Sequence, residues 1–127
     1  MKAPSLEQIE VIAAQALETV PGELLAHVAG VVIRVEEFPD EETQQDLNLA
    51  SPFDLLGLYR GVSLDRKSIA ATPSDIDMIY LYRSPILEYG RESGEDLKRL
   101  VRHVLIHEIG HHFGLSDEDM QRIEEQG

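Results

Sequence analysis

Four of the five histidines in this 127-residue chain fall within one ten-residue stretch, "HVLIHEIGHH", from His103 to His112. The chain has no cysteine, so histidine and carboxylate are the side chains left to bind a transition metal. His107 and His111 are four residues apart. On a helix that spacing puts both rings on one face, one turn apart, within reach of a single ion. Glu108 is turned about 100° around the axis from His107, beside such an ion without being needed as its ligand. This is the HExxH pattern, in which two histidines hold zinc and the glutamate acts on a bound water. The chemistry is hydrolysis: zinc activates the water and polarises a carbonyl, and Glu108 accepts the water's proton and passes it to the leaving nitrogen.

Zinc in an open site takes a third protein ligand. Gly114 can end the helix in a left-handed conformation, and Asp117 follows three residues later, so the turn can carry Asp117 back toward the ion. The alternative is that Asp117 simply opens the last helix. His103 extends the histidine stripe, but each step adds roughly 6 Å, which puts His103 about 12 Å from His111 at their roots. That is too far to share one ion with His111, so His103 is expected to be packed or hydrogen-bonded, or to support a ligand from behind. His112 points away from the ligand face, as a surface residue or one that orients substrate. His27 stands apart from the motif and carries no reading. Tyr80, Tyr82 and His112 are the candidate donors to a tetrahedral intermediate, although a tyrosine stripe at strand spacing is more often core than catalytic.

These residues need a scaffold. "SGEDLKRLVRHVLIHEIGHHFG" has the broadest apolar face in the chain, from Leu97, Leu100, Val101, Val104 and Leu105, and predicts the active helix over about 94–113. Ser93 is its expected cap. Ser5 and Gln8 form a capping-box pattern at the head of a first amphipathic helix that Pro21-Gly22 stops. "GVVIRVEEF" predicts a strand over about 30–37, with Val31, Ile33 and Val35 on one face. "PDEETQQDLNLASP" reads as an acidic loop, and "DLLGLYRGVSL" as a strand or hairpin. A turn-rich stretch leads through Pro73 to a third strand in "SDIDMIYLYRS", then a turn or short helix from Pro85 to Tyr89. Ser116 can cap a short final helix. The order predicts a single α+β domain over residues 1–127, with helices packed on a small mixed sheet.

The formal charge of −13 repels phosphate backbones and argues against nucleic acid as partner. "MKAPSLEQIE" turns polar before any apolar segment forms, unlike a secretory leader. No apolar run approaches the ~20 residues that span a bilayer. The expectation is a soluble, cytoplasmic protein without membrane contact.

"HEIGHHFGLSD" resembles the extended metzincin motif HExxHxxGxxH/D. The chain as a whole looks like the small bacterial HExxH proteins described as minimal metalloproteases, through "LLGLYRG" and "HEIGHHFGLSDEDM". The resemblance implies a zincin-like fold, a Zn2+ ion held by His107, His111 and Asp117, and Glu108 as the catalytic carboxylate. Metzincins carry a methionine turn downstream that floors the site. Here Met120 is too close to Asp117 to play that part in the usual way. The implied activity is zinc-dependent hydrolysis of a peptide or protein. In zinc proteases of this type an extended peptide pairs with an edge strand above the active helix. Asp77 to Arg83 is the expected edge, the alternative being an interior strand with Tyr80 and Tyr82 in the core. Two other functions compete: a non-catalytic metal- or peptide-binding module on the same fold, and a metal-dependent ribonuclease. Small bacterial rRNA-maturation proteins share a related histidine spacing but lack a glutamate beside the first histidine. Glu108 and the charge favour peptide hydrolysis.

Overall fold

The computed structural model describes residues 3–25, 30–60 and 77–125. His27 and the turn-rich stretch through Pro73 lie outside the described residues. Helix α1 (Leu6–Glu18) begins with the expected reciprocal cap. Gln8 N donates to Ser5 Oγ at 3.1 Å, and Ser5 N donates to Gln8 Oε1 at 2.8 Å. Its apolar stripe buries Ile9, Ala13 and Ala16. A single turn, α2 (Gly22–Leu25), precedes strand β1 (Val32–Glu36). Val35 faces the core while Val32 and Arg34 face out, as period-two alternation requires.

Strands β2 (Gly57–Arg60) and β3 (Met78–Tyr82) complete a mixed sheet of order β1-β3-β2. β1 runs parallel to β3, pairing Val35 with Leu81. β2 runs antiparallel to it, pairing Tyr59 with Ile79. The expectation of an open edge at 77–83 is therefore overturned, because β3 is hydrogen-bonded on both sides and is the central strand. Ile79 and Leu81, on its inner face, are fully buried, and Tyr82 on the other face is nearly so. Among the described residues, the edge on the β2 side belongs to Gly57–Arg60.

Two further segments differ from expectation. The acidic loop contains a helix, α3 (Glu41–Asp46), started by Asp40, whose carboxylate accepts from Thr43 N at 2.7 Å. Of the turn or short helix expected from Pro85 to Tyr89, the helix is what forms, and it is longer: α4 (Arg83–Ser93), ended by Gly94 at φ 73°. The long helix α5 (Leu97–His112) follows, with Asp96 rather than Ser93 as its cap. Ser93 is the last residue of α4, and its hydroxyl accepts from Glu95 N instead. Gly114 takes the left-handed conformation, φ 74°. Ser116 Oγ then accepts from Asp119 N at 3.1 Å, starting α6 (Asp117–Glu125). The core lies between the inner sheet face, α1 and α5, with Leu100, Val101, Leu105, Ile106 and Ile109 all fully buried. No helix among the described residues is long and apolar enough to cross a membrane.

Candidate metal centre

Helix α5 is amphipathic along its whole length, and its polar face carries the chemistry. Its inner face packs against α1 and β2, leaving His107 and Glu108 half-buried and His111 and His112 exposed. Two glycines set how closely its neighbours approach. A Cβ on Gly57 would stand 2.6 Å from Val104 Cγ1, and one on Gly110 would stand 2.4 Å from Met120 Sδ. The side chain's absence at Gly57 lets β2 lie directly on α5, and its absence at Gly110 lets α6 do the same.

The close seating of β2 produces the defining contact of the site. Tyr59 N donates to Glu108 Oε1 at 3.3 Å. This amide therefore points away from β3, toward the sheet edge, as every second amide of an antiparallel edge strand does. Burial pushes the Glu108 carboxyl above its ordinary value, opposed by the Tyr59 amide and by His111. A carboxylate raised by desolvation and still held by a donor is a better proton acceptor than a solvated one.

Tyr59 itself is fixed at both ends. Its hydroxyl donates to Asp77 Oδ2 at 2.9 Å, and its ring stacks on His112, centroids 3.9 Å apart at 16°. Burial first, then Asp77, pushes the phenol pKa up, so Tyr59 stays protonated. Sequence reading missed Tyr59. Its nearest signal was the "LLGLYRG" stretch, where a glycine two residues before the tyrosine marks a strand that touches something closely. His112 supports this tyrosine. Tyr80 and Tyr82 stack on each other, centroids 6.5 Å apart at 8°. They share the opposite sheet face with Arg34, Glu36 and Arg60, which removes them as donors to the site.

The histidines form a continuous row. His103 and His107 have centroids 4.1 Å apart at 34°, while His107 and His111 stand 5.6 Å apart and nearly perpendicular. The sequence pair His107–His111 is thus brought together. Asp117 is the first residue of α6 and exposed, and it acts on His107 as a neighbouring negative charge. Burial, then the His103 ring, holds His107 below the usual histidine value, with Glu124 and Asp117 opposing. A neutral imidazole is the form that ligates a metal.

Both donor sets in this row suit a divalent ion. His107, His111 and Asp117 supply two imidazoles and a carboxylate, the N/O set that zinc accepts in open sites. Among the described residues, His103, His107 and Glu124 supply the same chemistry, with ligand atoms all within 4.8 Å of one another. His107, His111 and Asp117 are not assembled to that distance. His103 is hydrogen-bonded, as expected, and its partner is Glu124 Oε1.

Comparison with individual curated proteins finds no match. A family model described as zincin-like metallopeptidase matches residues 28–127, which takes in all three strands, the glutamate–amide contact and the whole histidine row. The chain belongs to the zincin-like metallopeptidase family.

Proposed function

We propose that the protein is a zinc-dependent peptidase in which His107, His111 and Asp117 hold the metal and Glu108 is the general base. The observation that carries this reading is the Glu108 carboxylate, held half-buried by a strand amide beside His107 and His111. When bound, zinc would supply a polarised carbonyl and a water acidic enough to lose its proton near neutrality.

Everything else falls to the chain. Glu108 takes the proton of the attacking water and returns it to the departing amine, the two proton transfers that amide cleavage needs. β2 is the substrate rail in this proposal. An extended peptide laid along its outer edge would gain main-chain hydrogen bonds, and its side chains would alternate between the helix and solvent. The donor it meets first is the Tyr59 amide, which Glu108 occupies in the free protein. A peptide carbonyl taking that amide would release the carboxylate for proton transfer, so docking and activation are one step. The Tyr59 ring, clamped between Asp77 and His112, keeps the rail in place.

A screen over varied extended peptides, run with zinc and with Glu108→Gln as control, tests the reading. The expected result is cleavage by the native protein and none by the variant, with metal content equal in both. Loss of metal from Glu108→Gln would make that residue a ligand and contradict its role as base. Equal cleavage by both proteins would remove Glu108 from the mechanism.

A further inference from the structure

The hydrolytic reading employs His107, His111, Asp117 and Glu108 and gives His103 and Glu124 no task. The spacing argument that separates His103 from His111 does not separate it from His107. His103 and His107 have the same four-residue interval, on the same face, one turn earlier. The structure closes this second pair with a carboxylate, since Glu124 on α6 is hydrogen-bonded to His103. The ligand atoms of all three lie within 4.8 Å of one another.

Glu124 is held in position by a dedicated clamp. Arg102 Nη1 donates to the carbonyl of Glu124 at 2.7 Å, and Nη2 to that of Ile123 at 3.2 Å. Its Nε donates to Thr19 Oγ1 at 2.8 Å, which fastens the end of α6 to the end of α1. The clamp grips the backbone at Ile123 and Glu124, so the Glu124 carboxylate is left to face the rings, where it is hydrogen-bonded to His103. A cleft of about 640 Å³, lined by Arg99, Arg102, His103, Gln121 and Glu124, gives solvent and ions a path to it.

We propose that His103, His107 and Glu124 form a second seat for a divalent transition-metal ion, exclusive of the hydrolytic one because both use His107. A neutral imidazole has a single lone pair to give, so one ion per chain moves between two positions. They are separated by one helical step of four residues, roughly 6 Å. In the second seat the ion is drawn toward the start of α5, away from the Glu108 carboxylate, and the peptidase is silent. The silencing rests on the hydrolytic reading; the seat does not.

Zinc binding by equilibrium dialysis, with metal counted per chain, tests the seat. His111→Ala with Asp117→Ala removes the hydrolytic ligands at two exposed positions. That protein should still bind about one zinc ion and should lose it on adding Glu124→Gln, a change that keeps the side chain's size and leaves the Arg102 clamp intact. In the double variant, zinc should also shift the ring nitrogen resonances of His103. A zinc-dependent shift of this kind reports ligation at the ring nitrogen, which a purely structural role for His103 would not produce. A double variant without zinc, or one whose zinc is indifferent to Glu124→Gln, overturns the seat. If His103→Asn with Glu124→Gln empties the otherwise native chain while the double variant stays full, the seat stands and the hydrolytic ligand set falls. The reverse pattern leaves the hydrolytic set standing alone.

Discussion

Gly110 lies inside the HExxH pattern, between Glu108 and His111, and its missing side chain is what allows α6 to touch α5. In an open helix Gly→Ala would stabilise by about 1 kcal/mol. Here the new methyl would overlap Met120 Sδ at 2.4 Å and Cγ at 2.7 Å, and Met120 is fully buried. Overpacking of this kind costs about 1–3 kcal/mol. Gly110→Ala should therefore lower the melting temperature. A variant at least as stable as the native protein would show that Met120 has room to move. That His107, Glu108 and His111 lie together on one helix was legible from spacing alone. Tyr59 was not, because it acts through a backbone amide 49 residues away from Glu108, and an amide has no sequence signature.

At the scale of elements, Glu37 ties the end of β1 to the start of α4. Its carboxylate accepts from Arg83 Nη1 at 2.9 Å and from the Ser84 hydroxyl. The Ser84 hydroxyl most of all, and then Arg83, hold its pKa below the usual 4.5. A lowered folded-state value contributes stability above the unfolded value and loses it as pH falls through the folded one. Glu37→Gln should accordingly destabilise the protein at pH 7, by no more than about 1 kcal/mol for so exposed a group. Thermal melts over a pH series should show its deficit shrinking below pH 4.5. A deficit constant with pH would assign the effect to packing. The same strand region shows what sequence could and could not give. The alternation in "MIYLY" located β3, and its apolar character on both faces was the available sign of a central strand. Charged Asp77 and Arg83 at its ends pulled the reading toward an edge. Helix α3 has no apolar stripe, so only Asp40 as a cap could have revealed it. Ser93 and Asp96 are both good caps, and the choice between them depended on α4 extending far enough to use Ser93.

At the scale of the whole molecule, one helix gathers the candidate site. α5 receives β2 on one side, α1 on another and α6 on a third, so the sheet supplies the amide that holds Glu108 while the last helix supplies Asp117 and Glu124. The α+β architecture and the order of its main elements followed from periodicity and caps. The way α6 folds back on α5 did not, because it depends on the close approach at Gly110 and on Arg102 reaching across to the carbonyls of Ile123 and Glu124. Both proposed arrangements hold a metal ion on this helix through its histidine row, and His107 is the residue they share. The direct measurement is the zinc content of the native protein and of His107→Ala after identical loading and dialysis. The native protein should hold about one ion per chain, and the variant should lose it. Equal zinc in the two proteins would contradict both arrangements.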